Sequence, residues 1–307
     1  MFESFSFGPV IIWMRVIFFL IGVWLATEFF LRLSESANLS LQHFKEKAPQ
    51  FALAFIGFGR LFAIIAQYKV FLRDPLRVFV FWDGSFSFMG AAVGIGFVLF
   101  WYTRTHRSTF LQWLDVLLPA AIFGSAFDWF GKFAAGRAYG KPTDVPWAVT
   151  YDTIGVRYTV PIHPVQLYYA FTLLALTFLL LVIRKQSSRA GSETFFGILM
   201  ASVATFFFEY FRGDFSIPVF ATKMDFFILT ALFISLGVFA AVELKLTQKA
   251  LLYYEGILIV VFGGYMIARR WLPFATFEMR FSQFLAILSF LASVVYVVVH
   301  RRKYPHL

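Results

Sequence analysis

The sequence predicts an all-α, polytopic integral membrane protein of nine spans, seven forming a core and two a C-terminal hairpin. Three observations predict it. Hydrophobic residues make up 60% of the chain and charged residues 14%, far from soluble proportions. The apolar residues come in blocks long enough to cross a bilayer. The blocks also lack the polar face that a helix on a soluble core needs: Phe226 to Val242 offers only Thr230 and Ser235.

The first span, about Val10 to Leu31, carries Arg15, which at that depth faces the protein interior or reaches toward the surface. No basic residue precedes it, so it lacks the positive start of a signal peptide and is expected to be retained. The second, about Phe51 to Tyr68, holds Gly57, Gly59 and Arg60, which combines close helix packing with an intramembrane charge. Arg60 is a candidate lipid-binding residue, or it snorkels to the nearby end. The third begins in the small-residue entry Trp82 to Ala92, runs to about Trp101 and is followed by Arg104, His106 and Arg107. The fourth, about Phe110 to Phe127, contains Asp115 and a Pro119 expected to kink it. The fifth and sixth run from about Val165 to Val182 and Phe195 to Phe211, and the sixth ends in Glu209-Tyr210-Phe211-Arg212-Gly213-Asp214. The seventh is Phe226 to Val242. Ala250 to Ile267 and Phe284 to His300 form the hairpin, so residues 1–246 read as a core and 247–307 as an appended pair.

Between the fourth and fifth spans lies a glycine- and proline-punctuated polar segment, Asp128 to Tyr169, whose Lys132, Arg137, Lys141 and Arg157 suit lipid headgroups. Most of the chemistry is expected there, in residues 128–164 and the helix start that follows. His163 is the one imidazole beside this segment, since His43, His106, His300 and His306 fall elsewhere. Plainer roles stand next to these. His163 precedes a proline at a helix start and can cap it. Gln166, Tyr168, Trp129 and Trp147 suit an interfacial belt. Glu209 can simply pair with Arg212 three positions on. Gly140 to Thr143 is no phosphate-binding P-loop, because the preceding glycine pattern and strand are missing.

The chain has no cysteine, which excludes disulfides, thiolate metal sites and a cysteine nucleophile. No metal or other cofactor is expected. The net charge of +10 suits anionic phospholipid, whereas nucleic acid would need one continuous basic patch. Loop Lys and Arg divide almost evenly between the two faces. The Arg301-Arg302-Lys303 end favours an N-terminus outside and a C-terminus in the cytoplasm.

Six runs in register carry a family resemblance. They are Gly57-x-x-Arg60-Leu61, Trp82-x-Gly84-x-x-Ser87-Phe88-x-Gly90, Asp115-x-x-x-Pro119-x-x-x-x-Gly124, the segment from Gly131 through Gly136, Tyr139-Gly140 and Pro142-Thr143-Asp144 to Pro146-Trp147, His163-Pro164-x-Gln166-Leu167-Tyr168, and Glu209-x-x-Arg212-x-Asp214. Together they resemble the prolipoprotein diacylglyceryl transferases of bacterial inner membranes over roughly the first 245 residues. The resemblance implies transfer of the diacylglyceryl group of phosphatidylglycerol to a lipobox cysteine thiol of a prolipoprotein signal peptide, with release of glycerol phosphate, by a monomer on the outer face. Such a reaction needs a base for the thiol and cations for the departing phosphate.

The usual reacting groups are substituted. The family's Arg and Asn positions are Trp129 and Lys132, its later Glu is Arg137, its His is Met89, an early Tyr falls at about Met14 and a late Arg is Thr205. Gly136, Gly140, His163, Gln166, Tyr168, Glu209 and Arg212 survive. Two readings stay open at this level. The chemistry is retained with His163 or Glu209 as proton acceptor and Lys132, Gly136, Arg137, Gly140, Gln166, Tyr168, Arg212 and Arg60 binding the lipid, or an inactive homologue binds phospholipid or lipoprotein. A transporter using Arg15, Arg60, Asp115 and Glu209 is a further alternative.

Overall fold

The computed structural model describes residues 4–7, 10–40, 46–66, 68–79, 86–103, 107–152, 155–186, 190–214, 218–222, 225, 276–303 and isolated positions between 253 and 271. It falls into two units, Met1–Phe215 and Ser216–Leu307.

The first unit is built of helices. An antiparallel pair, β1 (Ser4–Phe7) and β2 (Val10–Trp13), precedes α1 (Met14–Ser36). The expected first span therefore starts four residues late, because the β-branched Val10-Ile11-Ile12 run pairs as a strand and does not wind. Next come α2 (Ala48–Ala66), α3 (Tyr68–Arg73), a 3-10 turn at Pro75–Phe79, α4 (Phe88–Thr103), α5 (Arg107–Ala134), α6 (Val165–Gln186) and α7 (Ser192–Phe211). Residues Trp82 to Ser85 lie outside the described ones. Five described helices are long and apolar enough to cross a membrane, over Met14–Ser36, Ala48–Ile65, Thr109–Ala134, Val165–Gln186 and Ser192–Phe211, and the protein is a multi-pass membrane protein.

Helix α5 is the axis. It has 28 residues and packs against α1, α4, α6 and α7. At 1.5 Å per residue it is about 42 Å long, more than the ~30 Å hydrocarbon layer. The fourth span thus continues past Phe127, and Asp128, Trp129 and Lys132 ride on its last two turns instead of opening a loop. The helix continues through Pro119, whose ring is fully buried. Helix α1 crosses it closely: a Cβ on Gly22 would sit 2.9 Å from the Gly124 carbonyl oxygen.

The end of α5, α6 and α7 away from the polar segment is pinned by Asp115. Its carboxylate accepts from the Gly191 N–H at 2.5 Å and from the Thr194 N–H and hydroxyl at 2.9 and 2.6 Å, which satisfies orphan donors at the start of α7. Arg184 donates to the Asp115 carbonyl at 3.0 Å and pairs with Glu193 at 2.8 Å. Asp115 is therefore a cross-helix cap. Between this clamp and the opposite end lies a dry layer of Ile122, Leu176 and Leu180, 1%, 5% and 0% exposed.

In the second unit, β3 (Pro218–Thr222) pairs antiparallel with β4 (Thr276–Arg280), which leads into α8 (Phe281–Lys303). The expected run Phe284 to His300 lies within α8. The run Phe226 to Val242 lies outside the described residues, and of Ala250 to Ile267 only isolated helical positions are described.

Candidate functional site

The end of α5, the start of α6 and the end of α7 meet, and the loop between α5 and α6 folds over them. Gly136 has φ +60° and Ala138 φ +56°, so the chain turns through the left-handed region twice, at a cost of order 1–2 kcal/mol for the alanine. The Lys141 N–H then donates to the Phe211 carbonyl and the Gly213 N–H to the Tyr139 carbonyl, both at 2.8 Å. On its other side the His163 N–H donates to the Lys141 carbonyl at 3.0 Å, and Val149 and Ile162 exchange two bonds at 3.0 Å. Tyr139, Tyr151, Val156 and Ile162 form a core beneath the loop. The surviving motif around Gly140 and the Glu209–Asp214 cluster are thus hydrogen-bonded neighbours.

Gly140 fits because it has no side chain. An added Cβ would collide with the His163 carbonyl oxygen, a backbone atom that cannot move aside, and lie 2.7 Å from the His163 Cβ. Gly140→Ala is expected to shift the 161–163 strand, costing about 1–3 kcal/mol and removing most lipid retention in purified protein. Wild-type retention in that variant refutes the tight packing.

Beneath the loop runs a connected line of polar and aromatic groups. Lys132 Nζ is 2.7 Å from Asp128 and 4.1 Å over the Trp129 ring. The other face of Trp129 stacks on Tyr169 at 4.0 Å and 5°. The Tyr169 hydroxyl donates to Glu209 Oε1 at 3.2 Å, and Arg212 Nη1 donates to the same oxygen. Arg212 also grips Asp214 with two bonds, of 2.9 and 2.6 Å. Burial works against the Arg212 charge, but the Glu209 and Asp214 carboxylates outweigh it and hold its pKa above the ordinary arginine value. Arg15 and Arg212 both lie within electrostatic reach of Lys132. Lys132 and Arg212 thus each stand beside a carboxylate at one end of the helix layer, and the Arg15 backbone packs against Gly131, the residue before Lys132.

A second group stands on the loop side. The Trp147 indole N–H donates to the Tyr168 hydroxyl at 2.7 Å, and that hydroxyl lies 3.1 Å from His163 Nδ1. Indole is a donor only, so the Tyr168 proton is free to point at Nδ1, which makes Nδ1 the acceptor and leaves the ring proton on Nε2. Burial lowers the His163 pKa below its ordinary value and keeps the ring neutral near pH 7. The ring bonds to Tyr168 and does not cap α6. No described hydrogen bond joins His163 to Glu209, but the Phe208 ring touches both Tyr168 and Tyr169, and Phe211 packs on His163.

The remaining predicted residues are placed as follows. Gln166 is fully buried and its amide donates to the Arg137 carbonyl at 2.8 Å, so it holds the loop. The Arg137 side chain is exposed on the loop, as is that of Lys141, whose ammonium lies 4.6 Å over the Tyr210 ring. Arg60 is 4% exposed, donates to the Arg77 and Val78 carbonyls and stacks 5.1 Å over Phe71, so these described contacts lie with the 71–78 segment. Trp129 is no belt residue, because the Lys132 ammonium and the Tyr169 ring occupy its two faces. Tyr169, Asp128 and Asp214 join the site although sequence reasoning gave them no role in it. Only the Asp128 to Lys132 spacing of four on a helix signalled one of these contacts.

This frame coincides with a known family. The profile described as prolipoprotein diacylglyceryl transferase matches residues 3–299. The chain belongs to that family. It is 33% identical over 219 residues to a phosphatidylglycerol–prolipoprotein diacylglyceryl transferase of Vibrio cholerae, covering 68% of this chain and 77% of that protein. The protein of the same name from Photobacterium profundum is 32% identical over 217 residues, 67% of this chain and 77% of the other. That of Polynucleobacter necessarius is 33% identical over 158 residues, where the chain spans 58% of its relative's length. In this diacylglyceryl transferase family member, Trp129 and Lys132 stand one turn apart on α5, with the Lys132 ammonium 4.1 Å over the indole ring.

Proposed function

We propose that this family member moves the diacylglyceryl group of phosphatidylglycerol onto the cysteine thiol of a prolipoprotein in the bacterial inner membrane. The observation that carries this reading is the meeting of Lys132 and Arg212, with Arg15 packed on Gly131, where α5 and α7 end and α6 begins beneath the Gly140 loop. A thiol sulfur attacks the glycerol carbon that bears the phosphate. The C–S bond forms, the C–O bond breaks, and its electron pair leaves with glycerol phosphate. Lys132 holds the growing phosphate charge, with Asp128 and Trp129 fixing where its ammonium stands. The thiol proton passes to the second lone pair of the Tyr168 oxygen while the Tyr168 proton moves to His163 Nδ1. Glu209 and Arg212 act as the fixed ion pair that positions Tyr169 and the loop. Complementation of a strain depleted of its own transferase tests the assignment. Growth is expected, and failure with normal membrane insertion favours a binding homologue.

Headgroup choice follows from the same cations. Lys132→Ala is expected to weaken retention of phosphatidylglycerol about tenfold or more while sparing zwitterionic phosphatidylethanolamine, and Arg137→Ala, on the exposed loop, is expected to act in the same direction but less. Native mass spectrometry of retained lipids reads this directly. Equal losses for both lipids leave only helix-end anchoring.

The site is proposed to face outward, with the N-terminus outside and the C-terminus in the cytoplasm. A single cysteine replacing Val160, which is exposed on the loop, in a chain without native cysteine, is expected to label from the periplasmic side. Labelling only from the cytoplasm reverses the orientation.

A further inference from the structure

Below the polar cluster, the region between α1, α2, α4 and α5 opens into an apolar cavity of about 190 Å³. Ala26 and Phe30 of α1, Phe55 of α2, Ile95 of α4 and Leu117 and Ala121 of α5 line it. Thr27, also on the wall and exposed, turns its hydroxyl onto the Val23 carbonyl at 2.8 Å, so the wall stays apolar and the cavity reaches the lipid-facing surface. An engineered cavity of about 150 Å³ with comparable apolar walls stays dry and binds benzene. This one suits hydrocarbon and repels water.

Its place along the helices says which hydrocarbon. Ala121 stands eleven residues before Lys132 (132 − 121), and Ala26 eleven after Arg15 (26 − 15). Eleven residues are about three turns, which return to within about 20° of the same stripe about 16 Å further along. On both helices the cavity therefore lies on the stripe of a cation, about 16 Å beneath it. Half of a ~30 Å hydrocarbon layer is about 15 Å, so the tail of a lipid whose phosphate sits at the cations ends at this depth.

We propose that the cavity receives the distal end of one acyl chain of the phospholipid held at Lys132, and that Ala26 and Ala121 set the chain length accepted. This rests on the lipid-site reading above. Both alanines are buried, at 8% and 4% exposed, on facing helices, so a larger side chain at either fills the space that a long tail needs.

The test uses the full-length protein in detergent, offered an equimolar mixture of dilauroyl, dimyristoyl and dipalmitoyl phosphatidylglycerol, with retained lipid read by native mass spectrometry. The wild-type protein is expected to favour the dipalmitoyl lipid. Ala121→Leu is expected to shift the ratio toward the dilauroyl lipid about tenfold or more, and Leu117→Ala, which widens the cavity, to move it the other way. Should Ala121→Leu fold poorly, Leu117→Ala alone decides. An unchanged chain-length profile with phospholipid still retained overturns the inference, whatever the transfer assay shows. A shifted profile in a protein without transfer supports the cavity and removes the transferase reading instead.

Discussion

His163→Gln is expected to lower diacylglyceryl transfer at least about a hundredfold while leaving phospholipid retention near wild type, the scale of losing a general base. Tyr168→Phe is expected to do nearly the same, because it deletes the hydroxyl 3.1 Å from His163 Nδ1 through which the proton travels. The pH profile distinguishes chemistry from packing. Burial disfavours the imidazolium, so the folded-state pKa lies below the ordinary value of about 6.5, and the neutral, proton-accepting ring persists to lower pH. Transfer should be level around neutrality and fall as pH drops through that lowered value. The residual activity of His163→Gln should lack this limb. Transfer that survives in the variant moves the proton acceptor to Glu209, and lost lipid retention makes His163 structural.

The second large effect concerns stability. Arg212→Ala leaves the Glu209 carboxylate, 2% exposed, without its guanidinium and releases Asp214 as well. Breaking a buried pair from one side costs about 3–5 kcal/mol, because the remaining charge stays desolvated. The variant should therefore unfold at much lower temperature in detergent. Adding Glu209→Gln removes the stranded charge and is expected to restore part of the loss. A double variant no more stable than Arg212→Ala contradicts this account of the pair. The stability loss and the transfer defect separate, because His163→Gln should leave the melting temperature almost unchanged.

Much of the architecture was legible in the chain. Apolar blocks located α1, α2, α4, α5, α6 and α7 to within a few residues, since a bilayer imposes length and composition directly. Their ends were less legible. Packing of Gly131 on α1 and the Asp128–Lys132 pair carry α5 on past Phe127 although Asp, Trp, Phe and Gly are poor helix formers, whereas hydropathy stops at the first charge. Site contacts divided the same way. The Glu209–Arg212 pair is local and readable at a spacing of three. The Trp129–Tyr169 stack joins residues forty positions apart, and no periodicity announces it. Asp115 shows the opposite failure: an intramembrane carboxylate reads as a polar pathway, but its partners Gly191 and Thr194 lie far along the chain and make it a cap. Arg60 likewise finds backbone carbonyls that only the folded 71–78 segment supplies.

The layer of Ile122, Leu176 and Leu180 has a bioenergetic consequence. It separates two polar ends of the helix layer, and at the far end the Asp115 carboxylate is already held by Gly191 and Thr194. Under the proposed reaction, a proton stripped from a thiol at the loop end would meet this apolar layer and stay on the side where it was released. The proposed transfer would then acidify one side locally at each turnover without short-circuiting the electrochemical gradient that the host membrane maintains.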